Sequence, residues 1–246
     1  MQIEVKESIP SPYAIFFLLS LFVGFITFAL ILRKRGVSRQ IVMLDACLNI
    51  MLVLYLGMMF TLVVSGFKNF AFSSLGGALG IILSTFTMSK VTKQYAAALW
   101  DAMLMVTPLI YGISKLGCFR VGCCGGIPYS GPMAVTYHGE RSYIQDCSVF
   151  PVQLLETIVF FILFLLSIFV IRKMKGRKSR GRLVLIILFA FAKFAMDYLR
   201  ISHVGQILSP NQIVCILIIL VSLFLFFVEG KHICKFRRGG CEIISP

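Results

Sequence analysis

Charge is what this 246-residue sequence has least of: only 14% of its residues are Asp, Glu, Lys or Arg. A soluble domain of this length carries roughly 25% charged residues, so an ordinary water-soluble fold is excluded. Low hydrophobicity is also missing, because 59% of the chain is apolar, and with it goes any reading as a disordered protein. Eight Cys are too few for a disulfide scaffold at this length. Acidic residues number ten against 24 basic ones, a formal charge of +14. With a mean hydropathy of +0.92, what is left is an all-α, polytopic membrane protein.

A hydrocarbon core about 30 Å thick takes about 20 apolar residues as helix. About seven stretches meet this, near 12–32, 41–65, 73–89, 95–113, 150–171, 183–200 and 207–229. The first lacks the basic leading flank of a cleavable signal peptide, since Glu4, Lys6 and Glu7 precede it and Arg33-Lys34-Arg35 follows. That order predicts an N-terminus outside and a C-terminus inside. Of the 24 Lys and Arg residues, 17 then fall on inside loops and six outside, with Lys193 within a span. The basicity is therefore a topological signal and calls for no nucleic acid. The expectation is one membrane domain over 1–246, multi-pass in a cell membrane, with a small Cys- and Gly-rich segment at 114–149 on the outer side.

Ionisable residues inside a span are costly and mark function by default. Lys193 and Asp197 are four residues apart on one predicted helix, and Arg200 extends the stripe. Gln153 and Glu156 share a face of another span at similar depth. Together they predict a polar cavity open to the outer leaflet, to which His203, shortly after Arg200, also has a claim. A self-neutralising Lys193–Asp197 pair that merely packs helices is the bland alternative. Asp45, Asn49 and Asp101 lie nearer the inside ends, where helix caps and interhelical hydrogen bonds explain them as well as function does.

Two glycine-rich segments flank these charges. Gly76-Gly77, at the outer start of the third span, serves either close helix packing or an anion bound at a helix N-terminus. Residues 115–126 hold Lys115, Gly117, Cys118, Arg120, Cys123 and Cys124. No C-x2-C spacing and no nearby His occur there, which argues against zinc, so no metal and no cofactor is expected. A disulfide from Cys123 or Cys124 to Cys147 and a reactive Cys118 thiolate both stay open. His138 is an outer-loop base candidate, against the commoner case of a solvated His.

In order and spacing these segments resemble the prolipoprotein diacylglyceryl transferase family. Residues Lys115–Gly126 look like the signature G-R-x-G-N-F-x-N-G-E-x-x-G, matching at Gly117, Phe119, Gly122 and Gly126; Phe150–Glu156 looks like H-P-x-Q-L-Y-E. Lys193, Asp197 and Arg200 resemble R-x3-E-x2-R, Gly205–Ser209 resembles G-Q-x-L-S, and Ser73–Gly80 resembles S-x-H-G-G-x-x-G. The chain departs from these patterns at Leu75, Lys115, Cys118, Val121, Cys123, Phe150 and Leu155.

The resemblance implies transfer of a diacylglyceryl group from phosphatidylglycerol, or a similar phospholipid, to an acceptor such as the Cys thiol of a lipoprotein signal peptide. It implies a bacterial plasma membrane and no nucleic-acid partner. Lys115, Glu156, Lys193, Asp197 and Arg200 are then the catalytic candidates. Gly76, Gly77, Gly117, Cys118, Arg120, Gln153 and His203 are the substrate-binding candidates. Two alternatives stand beside this one: a lipid-binding or transport protein that kept the fold without the chemistry, and a redox protein using Cys118, Cys123 and Cys124.

Overall fold

The structure, a computed structural model, describes residues 3–6, 12–68, 72–138, 147–173 and 178–238. Seven long helices dominate them: α1 (Pro12–Lys34), α2 (Arg39–Val64), α3 (Ser74–Val91), α4 (Ala96–Val121), α5 (Val152–Lys173), α6 (Lys178–Asp197) and α7 (Pro210–Arg238). Six are long and apolar enough to cross a membrane; α6, with five charged residues of its own, is the exception. The outward faces are apolar, with Leu18, Phe22, Met51 and Phe224 each more than 60% exposed. In water such faces would drive aggregation, whereas against lipid they are the stable arrangement.

Helix ends follow local chemistry. Gly36 and Gly66 adopt the left-handed conformation after α1 and α2, and each closes a paired hydrogen-bond cap (Val37 N–H to Leu32, Gly36 N–H to Arg33; Phe67 N–H to Leu62, Gly66 N–H to Val63). Ser38 and Ser73 cap α2 and α3 with their hydroxyls. Helix α4 is the hub, packing on α1, α3, α5 and α6. Its buried Pro108 removes one backbone donor from the helix interior.

On the inside end, buried Asp101 of α4 receives Arg35 at 2.6 Å and Arg182 at 2.7 Å. This residue joins α1, α4 and α6 and is more than an interfacial cap. Asn49 accepts from the Ser84 hydroxyl, tying α2 to α3.

Three departures from expectation bear on the site. Helix α4 continues to Val121, so Lys115, Gly117, Cys118 and Arg120 are helical. Helix α6 stops at Asp197, leaving Arg200 in extended backbone at φ −97°, ψ 142°. A small sheet also forms, in which β1 (Ile3–Lys6) runs parallel to β2 (Val135–His138) and β2 pairs antiparallel with β3 (Ser148–Val149). The β1–β2 pairing sets residues 3–6 and 135–138 on the same side of the bundle. His138 ends β2 opposite Lys6.

Candidate functional site

Three segments converge at the outer end of the bundle. Backbone hydrogen bonds stitch the chain after α4 to the chain after α6: Ile127 N–H donates to Leu199 O at 3.0 Å and Ile201 N–H to Gly125 O at 3.1 Å. Phe150 N–H donates to Ile127 O at 3.0 Å, adding the entry to α5. Gly126 sits at the crossing, where any Cβ would collide with the Phe150 carbonyl oxygen. Only glycine permits so close an approach. This clamp holds Arg200 over the bundle.

Beneath it lies a buried charge cluster. Glu156 of α5, fully buried, is met by Lys115 of α4 at 3.2 Å, by Lys193 of α6 at 3.1 Å and by Arg200 Nη2 at 2.5 Å. The Tyr111 hydroxyl donates to Glu156 Oε1 at 2.9 Å and accepts from Lys193 Nζ at 2.5 Å. Both ammonium groups also lie over the Tyr111 ring, 5.1 and 5.0 Å from its centre. Asp197 stands 3.9 Å from Arg200 Nε and accepts from the Ser209 hydroxyl and, at 3.5 Å, from Asn211.

All five catalytic candidates thus come together, in a different pairing from the bland alternative. Among the described residues Lys193 bonds Glu156, across two helices, and makes no ion pair with Asp197. The electrostatics follow from the count: three buried cations face two buried carboxylates, leaving one positive charge in excess. An unmatched buried charge is expensive unless something neutralises it. Arg200 Nε is in addition a buried donor with no hydrogen-bond partner. The cluster is chemically an anion site.

An apolar cleft reaches it, lined by Leu75, Met103, Phe160, Phe189, Ala190 and Cys215 together with Tyr111 and Lys193.

The other candidates have different places. Gly76 and Gly77 do not present free N–H groups: Gly76 N–H is taken by the Ser73 hydroxyl and Gly77 N–H by its carbonyl. The absent side chain of Gly76 admits the Leu56 carbonyl of α2, so these glycines serve helix packing. Gly117 likewise lets α1 approach at Tyr13 and Phe16. Gln153 is fully buried and donates to the Cys123 carbonyl at 2.9 Å, pinning the turn after α4. Arg120 is exposed, and His203 packs edge-on against Tyr198, ring centres 4.6 Å apart.

The bridge to Cys147 that the sequence left open is not present among the described residues. Cys118, Cys123, Cys124 and Cys147 are free thiols, and the first three gather their Sγ atoms within 4.8 Å of one another.

Tyr111 is the residue that sequence reasoning missed. Its one signal is spacing: it precedes Lys115 by four residues and so shares its helix face.

Comparison with known proteins identifies the family. Residues 7–228 match the family model described as prolipoprotein diacylglyceryl transferase. The chain is 23% identical over 167 residues to the phosphatidylglycerol–prolipoprotein diacylglyceryl transferase of Clostridium tetani, covering 66% of this chain and 64% of that one. It is 25% identical over 157 residues to transferase 2 of Clostridium perfringens (63% and 59%) and 30% identical over 175 residues to that of Chlamydia pneumoniae (67% and 60%). The match spans somewhat under two thirds of these relatives' own length. With the family model covering most of the sequence, the chain belongs to the prolipoprotein diacylglyceryl transferase family.

Proposed function

We propose that this protein transfers a diacylglyceryl group from phosphatidylglycerol to the thiol of a lipoprotein signal-peptide Cys, at the outer leaflet of a bacterial plasma membrane. The observation that carries the reading is the Glu156-centred cluster, whose three buried cations exceed its two carboxylates by one charge. A phosphodiester carries one negative charge and restores the balance. The cleft between α3, α4, α6 and α7 is apolar along its length and cationic at one end, which suits acyl chains below a phosphate.

In this reading Lys115, Lys193 and Arg200 bind the phosphate and stabilise the charge that grows on it as it leaves. The acceptor sulfur attacks the glyceryl carbon; an S–C bond forms, the C–O bond to phosphate breaks, and glycerol phosphate departs. The proton given up by the thiol ends on the released phosphate. Glu156 positions the three cations as their shared counter-ion. Asp197 orients Arg200 and, through Ser209 and Asn211, links it to the start of α7. Gln153 keeps the turn after α4 in register, and Tyr111 fixes Lys193 against Glu156.

The test uses purified protein with phosphatidylglycerol labelled in its head-group glycerol and a thiol peptide carrying a lipoprotein-type signal. Release of labelled glycerol phosphate, lost on Arg200→Ala, supports the proposal. Lipid binding without release, for every acceptor thiol offered, overturns it in favour of a lipid-binding protein.

A further inference from the structure

We propose that Cys118, Cys123 and Cys124 form a binding site for one thiophilic d¹⁰ metal ion, copper(I) or zinc(II), at the outer rim of the bundle. The C-x4-C-C spacing hides this arrangement from sequence rules, which look for two-residue gaps. The fold supplies what the spacing lacks. Gly122, at φ 72°, ends α4 in the left-handed conformation, and Cys124 is itself left-handed at φ 56°. A side-chain-bearing residue in that region is uncommon. Two such residues in close succession turn the chain back on the helix, so both later thiols return to Cys118 on its last turns. The Gln153 amide, bonded to the Cys123 carbonyl at 2.9 Å, locks the turn.

The dimensions fit a metal. Three sulfurs around an ion at the usual metal–thiolate distance of about 2.3 Å are separated by roughly 4 Å, inside the 4.8 Å limit that encloses these Sγ atoms. Among the described residues no His, Asp, Glu or fourth Cys joins the group. Three thiolates without a nitrogen or oxygen donor select soft ions. Copper(I) accepts the set as it stands, whereas zinc(II) needs a water as fourth ligand. Each coordinated sulfur releases its proton to solvent on binding, and the accumulated negative charge lies beside Lys115, three residues before Cys118 on the same helix. Cys118 is buried and Cys124 exposed, so the site is reachable from the protein surface at Cys124. The site borders the Glu156 cluster and shares Lys115 and the Gln153 brace with it.

The experiment takes full-length protein in detergent, reduced and stripped of metal under anaerobic conditions. Copper(I) is titrated against bicinchoninate, and cadmium(II), standing in for zinc(II), is followed by its sulfur-to-metal charge-transfer absorption. One ion per chain is expected for at least one of the two probes. Ser at position 118, 123 or 124 (Cys118→Ser, Cys123→Ser, Cys124→Ser) should weaken that binding by more than the roughly 10- to 100-fold typical of losing an outer-shell partner. Cys147→Ser and Cys47→Ser should leave it unchanged, and thermal melting of each variant shows whether it is folded. Binding of neither probe overturns the proposal. So does binding that survives in the folded triple Ser variant, or that is lost as fully in Cys147→Ser.

Discussion

Arg200 Nη2 lies 2.5 Å from Glu156 Oε1 although 44 residues separate them in the chain. Neither belongs to the other's helix, and Arg200 belongs to no helix at all. The pair exists because the chain after α6 is stitched to the glycine-rich chain after α4, which turns the guanidinium inward over α5. A buried pair of this kind is weak evidence of stability gained. Its value is placement: it fixes a cation, with one donor unused, beside Tyr111, which lines the apolar cleft.

Arg200→Ala should lower the rate of glycerol phosphate release by about 10²–10³, the usual cost of losing one donor aimed at developing charge. Arg200→Lys should fall between it and native, because the charge returns without the planar fork. Steady-state release with labelled phosphatidylglycerol reads both. Equal rates in native and Arg200→Ala protein contradict the role.

Glu156→Gln leaves Lys115, Lys193 and Arg200 buried without their common counter-ion. Breaking a buried ion pair from one side costs about 3–5 kcal/mol, so the melting temperature in detergent should drop clearly. Glycerol phosphate added to the buffer should raise it more for Glu156→Gln than for native protein, by supplying the missing negative charge. An unchanged melting temperature argues against the cluster as drawn.

Tyr111→Phe removes the hydroxyl between Lys193 and Glu156 but keeps the ring beneath both ammonium groups. Hydrogen bonds to charged groups contribute about 1.5–3 kcal/mol, so activity should fall about 10- to 100-fold with a folded protein. Tyr111→Leu should fall further, since the cation–ring contacts go too. Identical activity of the two variants contradicts the ring's part.

Gly126→Ala places a methyl group against the Phe150 carbonyl oxygen. The backbone has to shift, at about 1–3 kcal/mol, and the shift is passed directly to Arg200, its bridge partner. Loss of both stability and release activity is expected. Gly131→Ala is the control, because its Cβ meets only the Tyr129 side chain, which can swing away. Equal behaviour of the two variants speaks against the clamp.

The charged core of the site was legible in the sequence because water-to-lipid transfer makes each intramembrane charge conspicuous. Lys193, Asp197 and Glu156 each interrupt an apolar run. Tyr111 was not legible, since a tyrosine within an apolar helix is unremarkable until its partners are known. Arg35 and Arg182 counted only as topological charge, yet their bonds to Asp101 close the inside end. The extended backbone at Arg200 escaped a helical reading because it depends on hydrogen bonds to residues far away in sequence. The thiol trio was hidden for a similar reason, as its geometry rests on two left-handed residues that spacing rules do not see. The pairing of Glu156 with three cations, in place of the bland alternative of a Lys193–Asp197 pair, is likewise a matter of how helices pack.

The central claim is that the Glu156-centred cluster holds the phosphate of the donor lipid. A structure of the protein in nanodiscs containing phosphatidylglycerol tests it most directly. Phosphate density within hydrogen-bonding distance of Arg200 and of Lys115 or Lys193, with acyl chains running between α3, α6 and α7, is the predicted result. A head group bound elsewhere, with the cluster occupied only by its own side chains, would contradict the account.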